Sequence, residues 1–439
     1  MLHRLDLRGR GSGVVDDLPR PAIAGDGPRQ VVREIIERVR SEGDPALVAL
    51  TEEFDGVRLV DLTVAAEELD AAVAALAPEL RAAIDTAIAN VERFHQAQRS
   101  EPHVVDHGGV RIEAWARPVA SAGLYVPGGR AAYPSTVIMT AVPARVAGVG
   151  RLALCVPPDR STGAVHPVVL AAARLAGVDE VHPVGGAQAI AALAYGTESI
   201  VAVDVIAGPG NVYVALAKQA VAGDVGIAAA FAGPSEVVVV ADDTAVADYA
   251  AIDLIVQAEH GPDGLAWLVT WDETVADAVC RAGERLLADE TRAEEVRATI
   301  ANGGYVALVD GPDDARAVVD AIAPEHLELM CRDAEAFGRQ VANAGAIFCG
   351  NLAPASLGDY VAGPSHVLPT NGSARFSSAL TVADFTKDHH LVTVQPEGLA
   401  GLGPDVIALA SAEGLDAHAR SISLRLEAGD GEPATGGAA

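Results

Sequence analysis

From about residue 120 the chain settles into a beat that leaves few folds open. GLYVP (123–127), LALCVP (152–157), EVHPVG (180–185), IVAVDVIAG (200–208) and SEVVVVAD (235–242) are short apolar runs with a β-branched bias. Between them lie longer segments with helical spacing of apolar residues, such as STVIMTAVPARVAG, VHPVVLAAARLAG and NVYVALAKQAVAG. Strands alternating with helices in this way build a parallel sheet covered by helices on both faces. A second set follows residue 245: a helix to His260, a strand LAWLVTW, a long helix over 273–296, a strand YVALVD, helices to 343 and a strand AIFCG. The expected fold class is therefore α/β, two Rossmann-like doubly wound parallel-sheet halves with small N- and C-terminal segments. Upstream, residues 28–100 read as helices, and HVVDHGGVRIEAWARPV (103–119) reads as a hairpin turning at Gly108–Gly109.

Bulk properties narrow the function. A chain of 439 residues can bury the cores of two or three domains. Its net charge of −29 supplies no basic stripe to displace counterions, which excludes nucleic acid as a partner. Lys218 and Lys387 are the only lysines. No stretch of about 18 apolar residues occurs, and MLHRLDLRGRGSG lacks the apolar core of a signal peptide, so the expectation is a cytoplasmic protein with no membrane partner. Cys155, Cys280, Cys331 and Cys349 have no paired C-x-x-C spacing, which argues against a disulfide framework or a thiolate zinc site.

Three glycine turns follow apolar runs and precede helical ones: YVPGGR (125–130), VGGAQ (184–188) and IAGPGN (206–211). Open α/β sheets bind ligands at such strand ends. The G-x-G-x-x-A match at 148–153 is in the wrong context, since its glycines end a helix and precede a strand.

APEHLEL (323–329) carries the acid–base signal. Pro324 suits the first turn of a helix, which places Glu325 and His326 at a helix N-terminus. The dipole there favours an ionised Glu and a neutral His, two bases poised near neutrality. QAEH (257–260) sets Gln257 and His260 three residues apart on one helical face, GDYVAGPSHVLPT (358–370) is a polar loop with Asp359 and His366, and EGLDAH (413–418) puts Glu413 and His418 one to two turns apart on a helix. Nitrogen and oxygen donors without thiolate suit zinc, though spacing alone does not join these segments. A zinc hydrolase would show a helical H-E-x-x-H or a similar pair, which is absent, and a non-catalytic binding protein would need no such set. Cys155, in an apolar run without an adjacent base, reads as core and not as a nucleophile.

Together these segments resemble the histidinol dehydrogenase family. The likeness runs from about residue 25 to 428 and is carried by GLYVPGGRAAYPSTVIM, GGAQAIAALAYGTE, IAGPGNVYVALAK, FAGPSEVVVVAD, QAEHGPDG, IAPEHLEL, GDYVAGPSHVLPT and EGLDAH, in that order. It implies oxidation of L-histidinol to L-histidine through a bound aldehyde, with two NAD and a zinc ion per subunit. It implies zinc ligands Gln257, His260, Asp359 and His418, NAD contacts at Tyr125, Gln188 and Asn211, and substrate contacts at Ser235, His326, Glu413 and the metal ligands. Glu325 and His326 are the expected catalytic pair: His326 takes the alcohol proton and Glu325 activates water for the aldehyde. A homodimer with shared active sites is implied too, its C-terminal segment crossing to the partner subunit. The expected division is an N-terminal segment 1–24, a discontinuous α/β domain of 25–119 plus 237–375, an NAD-binding domain 120–236, and a C-terminal segment 376–439 with a disordered tail from 429.

Overall fold

The computed structural model describes residues 2–10, 18–19, 26–129, 131–228, 235–259, 264–288, 290 and 292–429; the expected disordered tail lies almost wholly outside them. Its strands are β1 (His3–Asp6), β2 (His103–His107), β3 (Val110–Pro118), β4 (Ser121–Tyr125), β5 (Arg151–Cys155), β6 (Glu180–His182), β7 (Val205–Ala207), β8 (Gly226–Ile227), β9 (Glu236–Ala241), β10 (Leu265–Thr270), β11 (Gly304–Leu308), β12 (His326–Met330), β13 (Ala346–Cys349) and β14 (Thr386–Val394). No described helix is long and apolar enough to cross a membrane.

The chain divides into two compact units: Met1–Gln98 with Val119–Phe385, and Arg99–Pro118 with Thr386–Ala439. In the first, a five-stranded sheet in the order β6-β5-β4-β7-β8 and a six-stranded sheet in the order β1-β11-β10-β9-β12-β13 are parallel throughout. The α/β expectation of two parallel sheets flanked by helices is thus met. In the second unit β3 pairs antiparallel with β2 and β14. The expected hairpin turn is there, with Gly108 and Gly109 both at positive φ, 51° and 81°. Helices Pro396–Ala412 and Asp416–Gly429 complete that unit.

Burial explains the sheets. In β9, Val237 and Val239 pack into one core with Leu254, Leu268 and Val279, while Val238 and Val240 pack into another with Trp267, Leu327 and Leu329. Both faces are covered, so the run is apolar throughout. The four helices over 26–96 do the same for the five-stranded sheet. Ile36, Val39 and Leu47 join Cys155, Leu193 and Ile206, while Leu69, Ile84 and Val91 join Leu124 and Leu154 on the opposite face. The expected division grouped these helices with 237–375; they cover the 120–236 sheet instead, because that is where their apolar faces are buried. Cys155 is fully buried, and burial pushes its thiol up, as a core residue requires.

Three element expectations are corrected. Residues 326–330 form a strand, with Ala323 at φ 52° closing the preceding helix Pro312–Ile322. Pro324 therefore starts no helix: a slot between β9 and β13, buried on both sides, outweighs its preference. The long helix over 273–296 is two, Glu273–Leu286 and Ala293–Gly303. Glu413 and His418 do not share a helix, because Gly414 at φ 73° separates helices ending at Ala412 and starting at Asp416.

One glycine is obligatory by geometry. Gly208, just beyond β7, has φ 117°, and a Cβ there would press into the carbonyl oxygen of Tyr125 at the end of β4. Gly208→Ala is expected to lower stability by roughly 1–3 kcal/mol, read as a clear fall in thermal midpoint. An unchanged midpoint would show that β4 and β7 need not approach so closely.

Candidate active site

The strand order of the six-stranded sheet reverses between β9 and β12, since β10 and β11 build outward on one side and β13 on the other. At that seam both strands open on charged residues. Glu236 starts β9 with Ser235 just before it, and His326 starts β12 with Glu325 just before it. The register sets His326 beside Val237 and Ala346, and the Ala346 N–H donates to the Glu325 carbonyl at 2.9 Å. The Ser235 hydroxyl donates to Glu325 Oε2, and the Glu236 N–H reaches the same oxygen at 3.2 Å.

His326 is buried among acids. Its Nδ1 lies 3.8 Å from Glu325 Oε2 and its Nε2 3.5 Å from Asp359 Oδ1. Burial alone would lower its pKa, but the charges of Glu325, Asp359 and Glu328 outweigh it and push the imidazole up to about 9. The expectation of a neutral His326 held by a helix dipole is overturned. It starts a strand, so no dipole acts on it, and the surrounding carboxylates favour the imidazolium.

Two more acids sit at the seam. Glu236 is buried, and desolvation with the nearby Glu325 charge pushes its carboxyl up to about 8, despite a Gly372 N–H 3.2 Å from Oε1. Glu328, also buried, meets Asp253 of helix Ala247–Glu259, and desolvation holds both carboxyls above the usual range. The sequence expectations include none of these three. The available signal was a charge at the head of an otherwise apolar run, EVVVVA, or within one, HLELM.

Gln257 and Asp359 line one crevice with His326, Asp253 and Glu328; its volume is about 10 Å³, room for one water or small ion. Gln257 Nε2 is buried without a hydrogen-bond partner among the described residues. His260 lies outside the described residues, and among those described no cluster of three His, Cys, Asp or Glu side chains forms a metal cage. The structure thus brings two of the four expected ligands together, both oxygen donors of the kind zinc accepts. Glu413 and His418 are exposed and belong to the second unit.

A second cavity of about 260 Å³ opens beside His326, bounded by Phe94, Phe348, Asp359, His366 and Leu380. His366 Nδ1 donates to the Asp359 carbonyl at 2.8 Å, which leaves Nε2 to accept from Thr136 Oγ1 at 3.1 Å. Thr136 sits in the first turn of helix Pro134–Ala147, which follows β4, so this contact links the seam to the other sheet.

On the five-stranded sheet the order reverses between β4 and β7, and the three glycine turns lie at the carboxyl ends of β4, β6 and β7. Tyr125 ends β4, its hydroxyl accepting from the Gly186 N–H at 3.1 Å. Asn211 caps helix Val212–Val221 by accepting from the Tyr213 and Val214 N–H groups. Gln188 is buried, and neither atom of its amide has a partner among the described residues. An unsatisfied buried amide beside glycine turns at a switch point fits a dinucleotide.

Known proteins resemble the chain over nearly its whole length. The histidinol dehydrogenase family profile matches residues 18–426. Histidinol dehydrogenase of Chlorobium chlorochromatii (strain CaD3) is 45% identical over 417 residues, covering 95% of this chain and 97% of the relative. That of Rhizobium meliloti (strain 1021) is 48% identical, covering 91% and 92%. The crystal structure of histidinol dehydrogenase from Elizabethkingia anophelis superposes with a TM-score of 0.93 at 35% identity, covering 98% of this chain and 99% of that one.

Glu236 yields a signed pH prediction. Its folded pKa of about 8 exceeds the unfolded 4.5, so the native state keeps a proton that the unfolded chain releases. That stabilisation is complete below about pH 4.5 and is lost as pH rises towards 8. Glu236→Gln keeps an acceptor for Gly372 and cannot ionise. Relative to wild type it should gain stability between pH 5 and 8, by an amount on the order of a few kcal/mol, read by urea unfolding. A difference independent of pH would contradict a protonated Glu236.

Proposed function

This chain belongs to the histidinol dehydrogenase family, and on that footing we propose that it oxidises L-histidinol to L-histidine in two NAD-dependent steps through bound histidinal, the last step of histidine biosynthesis. The observation that carries the chemistry is the buried juxtaposition of Glu325 and His326, with Asp359 3.5 Å from the imidazole. The cavity beside His326 is the substrate's place in this reading.

Zinc would be held by Gln257, His260, Asp359 and the partner subunit's His418, with Tyr125, Gln188 and Asn211 at NAD. When bound, the zinc ion anchors the substrate's imidazole and amine, and NAD accepts the hydride. The remaining work falls to this chain's side chains. As hydride leaves the carbinol carbon, His326 takes the hydroxyl proton and the aldehyde forms. Its proton is held in place by Glu325 and Asp359 together, so committing the Asp359 carboxylate to a cation returns the imidazole towards its basic form. Glu325, fixed by the Ser235 hydroxyl, then takes a proton from the water that adds to the aldehyde. His326 releases its first proton to solvent, the hydrate loses a second hydride as its hydroxyl proton passes to His326, and the water oxygen ends in the carboxylate. Two NAD are reduced per histidinol.

A homodimer fits the second unit. Leu402, Val406, Leu409 and Leu424 on its two helices, and Leu415 between them, are exposed, a surface suited to a partner copy. Glu413 and His418, exposed on the same unit, would then complete the neighbouring site.

Single-turnover absorbance at 340 nm tests the division of labour. Glu325→Gln should release about one NADH per site quickly and then stall, since hydration of the aldehyde lacks its base. His326→Ala should lose both transfers, by about 10²–10⁴ in rate. A Glu325→Gln enzyme as poor in the first transfer as His326→Ala would show that the roles are shared or reversed.

A further inference from the structure

Glu328 lies two residues beyond His326 on β12, so both side chains leave the same face of the sheet. That face carries helix Ala247–Glu259, where Asp253 and Gln257 share one helical side, four residues apart. The Asp253 and Glu328 carboxyls line the same buried crevice, and desolvation holds both above the usual carboxylate range. Glu328 Oε2 has no N–H or O–H donor from another described residue. Its other oxygen, Oε1, accepts the Ala355 N–H at 2.6 Å. Ala355 opens the short helix Ala355–Tyr360 that presents Asp359, a helix with no side-chain cap of its own from Pro354. All five side chains, Asp253, Gln257, His326, Glu328 and Asp359, line one crevice.

We propose that Glu328 is a positioning residue that fixes the elements bearing Gln257, His326 and Asp359 relative to one another, an inference that rests on the zinc-ligand reading above. It is covalently on the strand of His326, meets Asp253 of the helix of Gln257 in the shared crevice, and accepts a hydrogen bond from Ala355 of the helix of Asp359. Removing it frees two donors of oxygen ligands to drift from the imidazole. Outer residues of this kind typically govern metal affinity 10–100-fold.

The test uses the full chain. Hydrogen exchange of the metal-stripped protein is followed over 250–259 and 353–361, zinc affinity is measured by chelator competition with zinc alone, and kcat and KM are measured with histidinol and NAD. Glu328→Leu fills the space but breaks both ties. It should speed exchange in both segments, weaken zinc about 10–100-fold, and lower kcat more than it raises KM. Glu328→Gln keeps an acceptor for Ala355 and gains a donor for Asp253, so it should stay near wild type in all three readouts. Asp253→Ala should loosen 250–259 only and weaken zinc, and it carries the test if Glu328→Leu does not fold. Folded variants with wild-type exchange in these segments, or with wild-type zinc affinity and kcat, would overturn the proposal. A wild-type protein that binds no zinc, with exchange still raised by Glu328→Leu, would remove the ligand set and keep the tie.

Discussion

The site depends on an electrostatic constraint: one imidazole is surrounded by carboxyl groups at the buried edge of a parallel sheet. Charges in such a place survive only when each answers another or carries a proton. His326 answers Glu325 and Asp359, Glu325 takes the Ser235 hydroxyl and the Glu236 N–H, and desolvation holds Glu236, Asp253 and Glu328 above the usual carboxylate range. The pattern follows from β12 being a strand. Alternation sends His326 and Glu328 to one face while Leu327 and Leu329 fill the core on the other. A helix at the same residues would have scattered these groups around its axis.

The two sheets use their switch points in opposite ways. The five-stranded sheet keeps the usual arrangement, with glycine turns at the carboxyl ends of β4 and β7. The six-stranded sheet carries its reactive groups at the amino ends of β9 and β12. At the carboxyl ends of the same two strands Asp242 accepts from the Thr244 hydroxyl and the Arg332 N–H. Thr136, His366 and Asp359 form a hydrogen-bonded path from the helix after β4 to the acid cluster.

Much of the fold was legible because parallel strands covered on both faces leave continuous apolar runs, as in β5, β7 and β9. β12 was not, since Pro324 and the spacing of HLELM mimic a helix start, and only the slot between β9 and β13 decides the matter. The pairing of Glu325 with His326 was legible in APEHLEL itself, whereas that of Gln257 with Asp359 came through the family resemblance; spacing could not join segments a hundred residues apart. Glu236 and Glu328 were missed although each lies in an otherwise apolar run, and Asp253 because nothing in its helix separates a buried charge from an exposed one. Their environment is made by strands and helices distant in sequence, as is the shift of His326.

The central claim is that substrate sits against His326 at the amino edge of β9 and β12, with Asp359 and Gln257 holding the metal. A crystal structure of the zinc-loaded protein with histidinol bound tests it most directly. The account predicts zinc on Gln257 and Asp359, and the substrate carbinol within hydrogen-bonding reach of His326 in the cavity bounded by Phe348 and Leu380. Histidinol bound elsewhere, or zinc held without Asp359, would contradict it.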